Sequence, residues 1–461
     1  MQPESSETPS ETMKLFSILL ASAACAVAPT AQGAAPVVES ARISSGLVRT
    51  SVEGVDVIAY HTGVKDVVTL RGSLAGGDIQ SPASNPAVAK LTAMMLDKGT
   101  KTLDKYAITT RLEAVGADLG FGAGEVVTEF SAKCLSKDLP LVIELLAEQL
   151  RNPVFSSEEL AKLKKQVATG LKRRLESPDF RASDAFSRAL YPEGHPNRRS
   201  TPEAFLAAVE ATRVEDLQAF HKSHYGPQGM VIVVVGDVDP VQLQTEVGKA
   251  FAGWGGGSDI PAITKAPATR VGEQVVFMAE KPSVSIILGQ TTGLHHSDPD
   301  ALPLRVATAI LGSGFTGRLM STVRDKEGLT YGIGAGVSGD TFVDGQWTIS
   351  ATFAPAMLAQ GINSSRRELL KWYTQGVSAD ELKRRKTNLV GTFKVGLATT
   401  GGLAGQILAT VQRGYPMSWL DEYPSRVEAL TLEQVNSVIR RRLNPDTMFL
   451  VKAGSVPEAK P

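Results

Sequence analysis

Apolar residues recur in two rhythms along this chain. Short β-branched stretches, VVTLRGSLAGG (67–77), MVIVVVG (230–236), VSIILGQTTGL (284–294) and MFLVKAG (448–454), are alternating or continuously apolar, the pattern of half-buried and fully buried strands. Between them, residues 139–149 and 156–175 repeat apolar positions every three or four residues, which predicts amphipathic helices. The order is the same twice: strands first, then long helices, then one closing strand. Strands and helices segregated in runs predict an α+β fold, with a mostly antiparallel sheet covered by helices on one face.

The repetition extends to residue detail. FSSEELAKLK (155–164) matches VSADELKRRK (377–386), and YGPQGMVIVVVG (225–236) is echoed by LNPDTMFLVKAG (443–454). The strand-like segments at 67–77 and 284–294 form a third pair. Three pairs in one order at nearly one offset identify a duplicated domain of roughly 210 residues per copy. Residues 255–270, rich in Gly, Pro and Ala, read as the linker. The chain then divides into copies at 34–254 and 271–461.

Composition narrows the function classes. Among 461 residues the 48 basic and 48 acidic side chains balance, so no net field draws the protein to nucleic acid or an anionic membrane. Residues 1–33 read as a leader. Met13-Lys14 precedes an apolar run at 15–28 too short to span a bilayer, followed by a small-residue cleavage site before Ala34. Met13 is the expected start, because the acidic, polar residues 1–12 are unlike a signal peptide's n-region. Cys25 lacks a leucine-led lipobox, so the expectation is soluble export to the periplasm, with no membrane attachment of the mature form. The mature chain keeps only Cys134, which excludes an intramolecular disulfide.

Two segments carry the chemistry. Residues 86–100, PAVAKLTAMMLDKGT, resemble the zinc helix of M16 metallopeptidases, in which an H-x-x-E-H motif lies a few residues before Lys-Gly-Thr. Lys98-Gly99-Thr100 is present. The two histidine positions fall on Lys90 and Met94, the general-base glutamate on Ala93, and the third ligand, a glutamate on a later helix, on Gly170 within one residue. Catalytic zinc needs imidazole or carboxylate donors and a nearby base, and none of these four residues is one. Read without the rest of the chain, Lys90 is an ordinary solvated lysine on an amphipathic helix.

In the second copy, LGSGFTGRLMSTVRDKEGLTYGI (311–333) is similar to the G-x-x-S/G-R-L…R-x-x-x-G-L-x-Y signature of the C-terminal half of M16B peptidases. There the Arg and Tyr act at the zinc centre of the opposing half, and they map to Arg324 and Tyr331. Peptide hydrolysis builds negative charge on the carbonyl oxygen, which a tyrosine hydroxyl and a guanidinium fork are suited to hold. The alternative is that Arg324 pairs with Asp325 or Glu327 on a helix surface and Tyr331 is a strand core residue.

The resemblance spans about residues 40–455 and implies two M16-type domains forming a clam-like half-chamber. It further implies a subunit inactive alone, with no cofactor of its own, that joins an H-x-x-E-H homologue to make a zinc metalloendopeptidase acting on peptides. The alternative is a non-enzymatic M16-like scaffold or peptide-binding protein. Other signals carry less. Gly312-Ser-Gly-Phe-Thr-Gly317 follows a helical run and not a strand, unlike a dinucleotide-binding loop. His221 and His224, at i and i+3, could hold a metal only with a third ligand and otherwise cap a helix end. His295-His296 reads as a solvated loop pair, and Cys134 has no histidine near it in sequence.

Overall fold

The computed structural model describes residues 42–268 and 271–457. The leader assigned to residues 1–33 lies outside them. The first copy builds a six-stranded sheet from β1 (Leu47–Val52), β2 (Val55–His61), β3 (Val67–Ala75), β4 (Asp118–Ala123), β5 (Val127–Leu135) and β6 (Val231–Gly236), in the order β1-β2-β6-β3-β5-β4. The second builds five strands, β7 (Gly272–Phe277), β8 (Val284–Thr291), β9 (Thr330–Ser338), β10 (Gln346–Phe353) and β11 (Phe449–Gly454), ordered β7-β11-β8-β10-β9. All pairs are antiparallel except β2 with β6 and β7 with β11. The closing strand of each copy therefore enters its sheet beside the opening one, and the two orders correspond strand for strand apart from the additional β1.

Local chemistry places the long helices where the periodicity predicts them. Ser156 accepts the backbone N–H of Glu159 to start the helix Ser157–Leu175, and its counterpart Ser378 forms a full capping box with Glu381 ahead of Ala379–Leu397. Each copy buries its own helices on one face of its sheet. Leu70, Ile232 and Val234 meet Leu91, Ile143 and Leu146 in the first core, and Leu288, Trp347 and Ile349 meet Trp372 and Val438 in the second.

The other face departs from the one-sided sheet expected from sequence: each copy lends a helix to the other's sheet. The helix Pro178–Leu190 of the first copy lies on β8 and β11, with Ala182, Phe186 and Leu190 against Val451 and Ala453. Its equivalent in the repeat, Thr400–Gln412, lies on β3 and β6, with Leu403, Ala404 and Ile407 against Ile58, Val233 and Val235. This explains why every residue of β6 is buried. Continuous apolar runs belong to strands covered on both faces, and here the second cover comes from across the duplication.

Candidate functional site

The helix Val88–Met95 carries three of the four positions that resemble zinc-site positions, and it touches the helix Ser157–Leu175 that carries the fourth. The elements of such a site therefore come together, but the donors do not. Lys90 reaches Asp78 at 2.7 Å and sits 5.5 Å from the centre of the Phe205 ring. Burial pushes the Asp78 carboxyl up, and the Lys90 ammonium pulls it part of the way back. Ala93 is sealed in the core, Met94 points outward, and Gly170 is exposed with open space where a Cβ would stand. Lysine, alanine, thioether and glycine do not fit a catalytic zinc ion. Among the described residues no three His, Cys, Asp or Glu side chains gather in a way that could hold a metal.

A direct check follows from this geometry. The purified chain is expected to retain no stoichiometric zinc and to cleave no peptide, measured by metal analysis and a peptidase assay. Adding Lys90→His, Ala93→Glu and Met94→His together should still not restore zinc, because two ligands leave the ion half coordinated and position 93 has no room for a solvent-facing base. One tightly held zinc per chain would refute the assignment of these positions.

The second segment is organised differently. The helix Ala301–Gly312 ends at a turn held from outside: Arg318 grips the Glu381 carboxylate with Nε and Nη2, both at 2.7 Å, and Arg385 donates to the Ser313 carbonyl at 2.9 Å. The Arg318 guanidinium holds Glu381 down to about 2. The chain then enters a π-helix, Met320–Lys326, in which Glu327 N–H reaches the Thr322 carbonyl five residues back. Such wide turns are costly and often mark functional sites. This one carries Arg324.

Arg324 lies between two aromatic rings, 5.1 Å from the centre of Phe315 and 5.0 Å from that of Tyr331. Tyr331 is 89% exposed and Phe315 is 71% exposed, so neither ring is a core residue. The ion-pair alternative also weakens. Glu327 is held by Ser364 and Arg367 on the next helix, and Asp325 comes only to 3.9 Å of Arg324 Nε. The pair expected from sequence is thus assembled on the surface, with Phe315 as a third member that sequence reasoning missed. Its signal was an aromatic residue placed inside a glycine-rich turn. Beyond Tyr331, Gly332 and Gly334 line a cavity of about 410 Å³ together with Asp179, Ser285 and Thr352.

The remaining candidates resolve into structural roles. His221 Nε2 meets the Leu150 carbonyl at 2.7 Å, and His224 Nδ1 meets Ser258 Oγ at 3.1 Å, so the two rings do not converge on one point. Burial lowers the pKa of both. The solvated reading of His295-His296 is corrected. His295 bonds Ser297 and the Thr341 carbonyl, while His296 is half-buried against Tyr415 and Trp419. Burial, together with nearby Arg413 and Arg305, pushes His296 down to about 3. Cys134 is buried, and desolvation pushes its thiol up to about 12, which leaves it inert as a nucleophile.

Comparison with known proteins agrees with this anatomy. The profile of insulinase, peptidase family M16, matches residues 57–198, and that of the peptidase M16 inactive domain matches residues 212–389. An uncharacterized zinc protease of Streptomyces coelicolor is 25% identical over 372 residues, covering 79% of this chain and 80% of that protein. The non-peptidase homolog YmxG of Helicobacter pylori is 20% identical, covering 79% and 84%. The crystal structure of a peptidase M16 inactive domain from Pseudomonas fluorescens superposes with a TM-score of 0.83 at 27% identity, covering 90% of this chain and 99% of that one. Two profiles of one family, in order and together spanning more than half of the sequence, show that the chain belongs to peptidase family M16.

Proposed function

We propose that this protein is the non-catalytic subunit of a heterodimeric M16B zinc peptidase of the periplasm. It supplies Arg324 and Tyr331 to the catalytic centre of a partner that carries H-x-x-E-H, and the substrates are peptides. The observation that carries this reading is the exposed Phe315–Arg324–Tyr331 cluster in a chain whose own zinc-site positions hold no ligand. A tyrosine 89% exposed has no role in the core, and a guanidinium flanked by two rings, with Asp325 no nearer than 3.9 Å, keeps most of its fork open. Both groups suit an oxygen that gains negative charge as a peptide bond is attacked. Neither can start that attack. Similarity to the peptidase M16 inactive domain of Pseudomonas fluorescens and to the non-peptidase homolog of Helicobacter pylori supports the non-catalytic half of the reading.

The expected partner association is measurable. Coexpression with an H-x-x-E-H homologue from the same genome should give a single size-exclusion peak containing both chains, with an interface above roughly 1,000 Å². Separate peaks, with no gain in the homologue's activity on mixing, would favour a scaffold or a peptide-binding protein instead.

A further inference from the structure

The end of the exchanged helix Thr400–Gln412 meets a group of charges that does not balance. Arg413, the residue that closes this helix, is half-buried, and its guanidinium makes no hydrogen bond or ion pair with any described residue; its Nε is shut off from solvent without a partner. Arg305 stands close enough for the two cations to repel. The one buried carboxylate nearby, Asp340, is already gripped by Arg305, whose Nε is likewise buried and unpaired. His296 adds no negative charge: Nδ1 lies 2.9 Å from the Tyr415 hydroxyl, which itself donates to the His296 carbonyl at 2.6 Å. Two guanidiniums face one committed carboxylate. The carbonyl end of the helix offsets only part of one unit charge. A half-buried cation left without a counter-charge, as Arg413 is, is costly, and the usual remedy is an anion that completes the pairing.

We infer that Arg413 and Arg305, with His296 and Tyr415 beside them, form a binding site for an oxyanion, a carboxylate or a phosphate, that docks on the free fork of Arg413. The site lies within the second copy, between its loop around Asp340 and the end of the helix that it lends to the first sheet, so an occupied site would brace that lent helix. It is separate from the Arg324 cluster and does not depend on the heterodimer reading.

The test is thermal unfolding of the full mature chain at constant ionic strength, with sodium chloride replaced in turn by inorganic phosphate, by an acetylated dipeptide with a free C-terminus, or by the same dipeptide as its amide. At about 100-fold excess over its dissociation constant, a bound anion should raise Tm saturably by about 3 °C for a protein of this size. Phosphate and the free-acid dipeptide both acting identifies a general oxyanion site; only one of them acting identifies its source. The amide should do nothing, and Arg413→Gln should abolish the gain while the variant stays folded by circular dichroism. No saturable gain over chloride from either anion, or an equal gain in Arg413→Gln, overturns the proposal. Should Arg413→Gln not fold, Arg413→Lys serves as the second variant. Its point charge should weaken the concentration dependence at least tenfold, because it cannot reproduce the fork, and an unchanged dependence would equally overturn the assignment.

Discussion

In an assembled complex with an H-x-x-E-H partner, Tyr331→Phe is expected to lower kcat on the order of 10²-fold to 10³-fold, the usual effect of removing one donor to a developing oxyanion. Complex formation and the partner's zinc content should not change, because the ring remains and only the hydroxyl is lost. Arg324→Ala should be at least as damaging, and Lys should rescue it only in part. The internal control is Lys90→Ala, which removes the partly exposed pair with Asp78 but no group near the chemistry. Steady-state kinetics on the purified heterodimer read all four variants. Unchanged rates for both the Tyr331 and the Arg324 variants would end the trans-acting role and leave this chain a structural half of the assembly.

The second large effect is on stability. Phe186 is among the largest fully buried side chains and sits on a helix whose sequence belongs to one copy and whose seat belongs to the other. Phe186→Ala should cost about 3–5 kcal/mol, the range for an aromatic deleted from a core. Leu408→Ala, at the matching position of the reciprocal helix, should cost about 2–5 kcal/mol. Because each helix holds both copies, the loss should appear as one cooperative denaturant transition moved to a lower midpoint. Trp254, beside the first core, and Trp347 and Trp372, in the second, should report it together. A near-native midpoint, or two separate transitions, would show that the exchanged helices are ornaments on self-sufficient domains.

Much of this architecture is legible in the amino-acid sequence. The matched helix starts at 155–164 and 377–386, the closing strands and the duplicated order are local signals, and local signals survive in sequence. The zinc-site positions rest on the resemblance to the M16 zinc helix, and there a lysine, an alanine, a methionine and a glycine declare by identity that they bring no donor. What stayed hidden depends on contacts between residues far apart in the chain. MVIVVVG shows a strand buried on both faces but not that its second cover is Leu403 and Ile407. His296 reads as solvated until Tyr415, 119 residues later, closes over it. Arg324 and Tyr331, seven residues apart, could be paired by eye, yet the π-turn that sets their geometry and the contribution of Phe315 leave no periodic trace.

The exchange of helices also sets a timetable for synthesis. The helix Pro178–Leu190 leaves the ribosome early, but the floor it rests on includes β11, the last strand of the chain. Its apolar stripe of Ala182, Phe186 and Leu190 must therefore wait, uncovered, until residue 454 has emerged. This layer cannot be completed vectorially, while the remainder of the chain is still being made. A nascent chain in this condition depends on whatever shields exposed apolar surface in its compartment, and a fragment cut at residues 255–270 would keep that surface bare for good.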